Sequence, residues 1–147
     1  MMTKNNSKRC LILTPTQNDK LTSEELKRIK ISLDFCPHLD HAFIIPKDKK
    51  SIYFEKHFKN SHIYEMPIDN FVSRKSYSRM LLRPSFYQTF SEYEYVLILQ
   101  TDAIVIRSLD NLMDLGYVYV GAPWPKDKKI HFLINRLYED ARKLKYL

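Results

Sequence analysis

Gln100 and Asp102 stand two apart directly after the run Tyr95-Val96-Leu97-Ile98-Leu99. That run is β-rich and without polar alternation, the pattern of a strand buried on both faces of a parallel sheet. On an extended chain, side chains two apart point to the same side, so both can reach one ligand. In open α/β sheets the ligand crevice lies at the carboxyl ends of the strands, which is where this pair falls. The Asp102 carboxylate suits Mg²⁺ or Mn²⁺, which prefer oxygen ligands. The Arg79 guanidinium can fork onto a phosphate oxygen. Arg79 and Arg83 are one helical turn apart and can face one anion, although exposed arginines are the commoner case. A turn that happens to contain Asp, with Gln100 as filler, is the competing reading of the pair.

Other chemistries find less support. The histidines at 38, 41, 57, 62 and 131 show no H-x-H or H-E-x-x-H spacing, so no zinc site is indicated. Ser, Cys and His form no recognised nucleophile motif. With only two glycines there is no G-x-G-x-x-G and no Walker sequence. A bound phosphate must therefore be held by side chains, helix N-termini or a metal.

The elements that position these residues read as alternating strands and helices. Cys10–Leu13 is a first buried strand, ending in the turn-like Thr14-Pro15-Thr16-Gln17-Asn18. Thr22 with Glu25 makes a capping box. The helix that follows carries Leu26, Ile29, Leu33 and Cys36 at helical spacing and stops at Pro37. Strands are expected at His41–Ile45 and His62–Met66, with a short helix over Ile52–Phe58 between them. Ser73–Arg83 reads as a helix with Tyr77, Met80 and Leu81 toward the core. Pro84 starts another, packed through Phe86, Tyr87 and Phe90. After the Tyr95–Leu99 strand come a short helix at Leu109–Leu115, closed by Gly116, and a strand at Tyr117–Val120. Alternation of this kind predicts an α/β fold with a mostly parallel sheet flanked by helices.

At 147 residues and 44% hydrophobic content the chain can bury a core. The net charge of +7 invites an anionic partner, but the lysines are scattered and nucleic-acid motifs are absent. A solvated basic surface is the simpler reading, and no nucleic-acid partner is expected. Cys10 and Cys36 read as buried free thiols. The apolar run Cys10–Leu13 is too short for a signal-peptide core and no run reaches transmembrane length, so a cytoplasmic location is expected. From Lys126 to Leu147 the chain carries seven Lys/Arg against three acids. Ile130, Leu133, Ile134, Leu137, Ala141 and Leu144 there form one apolar helical stripe. Such a helix packs on its own domain or makes peripheral membrane contact.

Four blocks occur in order: Ser76-Tyr77-Ser78-Arg79-Met80-Leu81-Leu82, Pro84-Ser85-Phe86-Tyr87, Tyr93–Ala103 with Gln100-Thr101-Asp102 inside it, and Gly116–Trp124 ending in Gly121-Ala122-Pro123-Trp124. Together they resemble a bacterial family of uncharacterised glycosyltransferase-like domains related to GT-A nucleotide-sugar transferases. The likeness is strong over Ser76–Trp124 and extends from Arg9 by strand order alone. It implies a Rossmann-like GT-A domain over residues 8–124 that binds a nucleotide-sugar donor at the strand ends and passes the sugar to a glycan or other acceptor. It places Asp102 on the last acid of an Asp-x-Asp metal motif and Gln100 on the first. It places Arg79 on a donor-contacting arginine and Thr14–Thr16, hence Thr14 and Thr16, beside the nucleobase. Gln100 in place of an acid, as is usual in that family, weakens the hold on a divalent cation, Mn or Mg. Ser78 stands where relatives carry Asn, which removes one donor contact or leaves it to water. Relatives continue past Gly-Ala-Pro-Trp into a glycine-rich segment and further strands. A chain ending at Leu147 is therefore expected to be a donor-binding half, with 125–147 as the start of a missing portion and no nameable catalytic base. A catalytically inactive nucleotide-binding or protein-interaction remnant is the alternative.

Overall fold

A computed structural model describes residues 8–121 of the chain. The chain divides into two compact units, Met1–Asp114 and Leu115–Leu147. The first is built from β1 (Lys8–Pro15), α1 (Ser23–Asp34), β2 (Asp40–Pro46), α2 (Ile52–His57), β3 (His62–Met66), a 3₁₀ turn (Ile68–Asn70), α3 (Arg74–Leu81), α4 (Pro84–Gln88), β4 (Tyr93–Ile98) and α5 (Asp110–Asp114). The four strands form one sheet in the order β3-β2-β1-β4, and every pairing is parallel. This is the α/β, Rossmann-like architecture that the alternating pattern predicts.

Strand alternation splits the core into two layers. On one face Phe43 and Ile45 meet Leu21, Ile29, Phe54 and Phe58. On the other, Leu11, Leu13, Ala42 and Ile44 meet Met80, Phe86, Phe90 and Tyr93. Phe43 is fully buried, its ring centroid 4.6 Å from that of Phe54 in a tilted contact and 4.8 Å from that of Phe58 in an edge-on one. Burying a side chain of this size stabilises by about 1.5–3 kcal/mol, so the α2 side of the sheet depends heavily on this one cluster. Cys10 and Cys36 are free and buried, and burial pushes the Cys10 thiol up to about 11.

Helix starts follow local sequence. The Thr22 side chain accepts from the Glu25 N–H at 3.2 Å while Glu25 accepts from the Thr22 N–H at 2.8 Å, the reciprocal capping box. Ser73 and Ser76 make the same exchange at the start of α3. Pro84 occupies the first turn of α4, where its missing N–H costs nothing.

Two expectations are corrected. β4 is not the strand buried on both faces that its apolar run suggests: among the described residues it lies at the sheet edge, and Tyr95, Val96, Leu97 and Ile98 are only half-buried. The strands enclosed on both sides are β1 and β2. An apolar run records that a strand is sheltered, not where it lies in the sheet. Tyr117–Val120 pairs with no strand among the described residues, and β-propensity without a pairing partner does not fix extended structure. Gly116 takes φ of 67°, as a glycine after a helix commonly does. The basic helix expected at 125–147 and the block Ala122-Pro123-Trp124 lie outside the described residues. No helix among the described residues is long and apolar enough to cross a membrane.

Candidate functional site

The strand order reverses at β1: β2 and β3 lie on one side of it, and the chain then returns to place β4 on the other. The carboxyl ends of β1 and β4 thus flank a topological switch point, the place where open α/β sheets take ligands. The residues there are Thr14 to Thr16 on one side and Leu99 to Asp102 on the other.

The last rung of β4 is the Leu99 N–H to the Leu13 carbonyl at 2.9 Å. The chain then turns, with the Ala103 N–H donating to the Gln100 carbonyl at 3.0 Å. Gln100 and Asp102 therefore sit in a β-turn, not on an extended segment, as a turn-forming Asp allows. This turn is strapped to α1. The Thr101 hydroxyl donates to Glu25 Oε1 at 2.7 Å and Arg28 Nε donates to the Thr101 carbonyl at 3.2 Å. Ser32, fully buried, accepts from the Val105 N–H at 2.9 Å and donates to the Arg28 carbonyl at 2.8 Å. The Thr101 hydroxyl, followed by the Thr22 backbone N–H, holds the Glu25 carboxyl below the usual carboxylate range. With Thr101 committed to α1, Gln100 reaches α3, where its side chain meets the Tyr77 hydroxyl. Burial pushes the Tyr77 phenol up and that contact partly offsets the shift.

Asp102 and Arg79 are both exposed. No ion pair or hydrogen bond joins them, nor either of them to another side chain, among the described residues. Helix geometry gives the direction in which Arg79 faces. Tyr77 and Leu81 pack toward the core with buried Met80, and Arg79, two residues beyond Tyr77, is about 200° further round the helix. It occupies the solvent face of α3, so Tyr77 is the α3 residue that meets the end of β4.

Thr14 and Thr16 differ in kind. Thr14 is fully buried, and its hydroxyl lies 3.0 Å from His41 Nε2, while His41 Nδ1 lies 2.6 Å from the Ser61 hydroxyl. A neutral imidazole has one donor and one acceptor, so one hydroxyl donates to it and the other accepts. Burial pushes His41 down to about 3. The Thr14 side chain is thus a strut inside the sheet. Thr16 lies at the strand end, its N–H donating to the Ile44 carbonyl at 2.9 Å and its hydroxyl accepting from the Asn18 N–H at 3.2 Å.

No three His, Cys, Asp or Glu side chains converge as metal ligands among the described residues. Asp102 offers a single carboxylate, which fits a cation carried in with a diphosphate and does not fit a metal centre held by the protein alone. The sequence reading gives Arg28, Ser32 and Thr101 no structural role. Tyr77 and Glu25 were visible there only as a core residue and a cap, and nothing in sequence joined them to β4.

The fold and this strand-end arrangement define a Rossmann-like α/β protein with a polar turn at its switch point. The chain belongs to the DUF5672 family, described as proteins of unknown function, whose family model matches residues 60–145. That span includes α3, β4 and the turn after it, and leaves β1, α1 and β2 outside. No curated protein matches the chain.

Proposed function

We propose that the chain is the donor-binding part of a nucleotide-sugar transferase, which moves a sugar from a nucleoside diphosphate to a glycan or another acceptor. The observation that carries this reading is the position of Gln100 and Asp102, exposed at the carboxyl end of β4 beside β1 where the strand order reverses. A departing nucleoside diphosphate develops negative charge that must be neutralised. A divalent cation bound with the diphosphate supplies positive charge for that purpose. The chain's own part is to bind and orient. Gln100, beside Tyr77, presents amide N–H and carbonyl groups to the donor, and the Glu25–Thr101 bond keeps the turn from swinging. Thr16 faces the same edge from β1. The sequence resemblance to GT-A transferases supports the same assignment.

The test is titration of a panel of nucleotide sugars, with and without Mn²⁺, into the wild type and variants. Gln100→Ala is expected to weaken donor binding about tenfold or more, the loss of a hydrogen bond to a charged group, and Asp102→Ala to weaken it in Mn²⁺ by removing a carboxylate ligand of the cation. Arg79→Ala, on the outer face of α3, is expected to change it less than twofold. Absence of donor binding by the wild type, or affinity indifferent to Asp102 and Gln100, defeats the reading. Binding without transfer or donor hydrolysis identifies a non-catalytic donor-binding protein instead.

A further inference from the structure

The loops that leave β1 and β2 enclose, with α2, a groove of about 720 Å³. It is within the range of small-molecule sites, and neither Asp102, Gln100 nor Arg79 lines it. Lys20 from the β1–α1 loop, Lys49 and Lys50 from the β2–α2 loop and Lys56 from α2 converge there with Asp19 and Asp48. Lys49 is matched by Asp19 at 3.7 Å. Lys20, Lys50 and Lys56 form no ion pair among the described residues. Glu55, the acid of α2, is turned to the Ser51 hydroxyl at 2.5 Å and does not line the groove. Three unpaired ammonium groups therefore face one unpaired carboxylate.

Like charges gathered from two loops and a helix repel one another, and a multivalent anion relieves that repulsion by binding all of them at once. Lysines suit phosphate clusters as mobile point charges. The wall beside them is aromatic: the Tyr53 and His57 rings lie 4.5 Å apart, and the Tyr53 hydroxyl is tied to the Leu21 carbonyl at 3.4 Å. The groove also opens on the carboxyl ends of β1 and β2, the ligand edge of a parallel sheet.

We infer that this groove is a second binding site, for a ligand that carries two or more adjacent phosphates, held by Lys20, Lys50 and Lys56. It does not depend on the donor site at Asp102. Inorganic pyrophosphate is the probe, titrated calorimetrically into the full chain at low and moderate salt, with sulfate as the control anion. The expected result is saturable binding, tighter than for sulfate and weaker as salt rises. Lys50→Gln with Lys56→Gln should raise the dissociation constant at least tenfold, while Lys75→Gln, on α3 and outside the groove, leaves it unchanged. These lysines are surface residues, so the double variant should keep its thermal midpoint within a few degrees, and circular dichroism verifies this. Pyrophosphate binding that is unsaturable, equal to sulfate, or unaltered in the double variant overturns the site. So does affinity for a mixed-sequence oligonucleotide with none for pyrophosphate, which points to nucleic acid instead. Loss of pyrophosphate binding in Asp102→Ala alone assigns the phosphates to the switch point and also overturns the second site.

Discussion

Acid should weaken this protein well before its carboxylates protonate, and the cause is His41. The imidazole is enclosed between β1, β2 and the segment before β3, with both nitrogens committed to Thr14 and Ser61 and its ring 4.7 Å from Phe43. Burial lowers it from the ordinary 6.5 to about 3. Because its folded pKa is depressed, the unfolded chain binds a proton below 6.5 that the native state refuses. Its stabilising contribution is thus complete above that pH and declines as pH falls toward 3. At pH 5 the gap spans one and a half units at about 1.4 kcal/mol each, so His41 alone should remove about 2 kcal/mol relative to pH 7.5. Glu25, Asp40 and Asp110, whose carboxyls are held below the usual range, add their losses only lower, from about the ordinary carboxylate pKa downward. Urea unfolding at pH 7.5 and pH 5 measures the effect. His41→Leu leaves the two hydroxyls without their partner and should cost about 2 kcal/mol at pH 7.5. Its disadvantage should then shrink by about 2 kcal/mol at pH 5, since the variant has no imidazole to protonate. If that gap stays constant, or if NMR shows the His41 imidazole titrating near 6.5, the buried-imidazole argument fails.

Two further outcomes bear on the scaffold. A double-mutant cycle of Glu25→Gln and Thr101→Val should show a coupling of about 1 kcal/mol in urea unfolding at neutral pH; with the Glu25 carboxyl held below its usual range, this coupling is present above that range and fades as pH falls through it, and an additive cycle refutes the strap. Phe43→Ala should destabilise by about 3–5 kcal/mol, and a loss under 1.5 kcal/mol in the same assay would show that the Phe43–Phe54–Phe58 cluster is not the anchor of α2.

Much of the fold was legible because its signals are local. The Thr22–Glu25 box, the proline at 84 and the sheltered runs in β1 and β2 each need only neighbouring residues to be read. What was not legible depends on partners distant in sequence. Tyr95–Leu99 is apolar enough for an inner strand, and only the pairing shows β4 at the edge of the described sheet. Gln100-Thr101-Asp102 is compatible with either an extended or a turned backbone, and the hydroxyl of Thr101 reaching Glu25, 76 residues earlier, accompanies the turn. The orientation of Arg79 was available from periodicity. Once Tyr77, Met80 and Leu81 face inward, a residue two positions beyond Tyr77 must face outward. The Thr14–His41–Ser61 chain was hidden because a lone histidine in a strand carries no mark of its hydrogen-bond partners.

The strap between α1 and the turn after β4 places the scaffolding behind the working surface. Thr101 and Val105 grip the helix, while Asp102 is left without a structural task of its own. On the donor-binding role proposed above, exchanging the outward residue changes what that turn recognises without loosening its footing. Single substitutions at Asp102 then leave the fold unchanged, provided that Glu25, Arg28 and Ser32 stay in place.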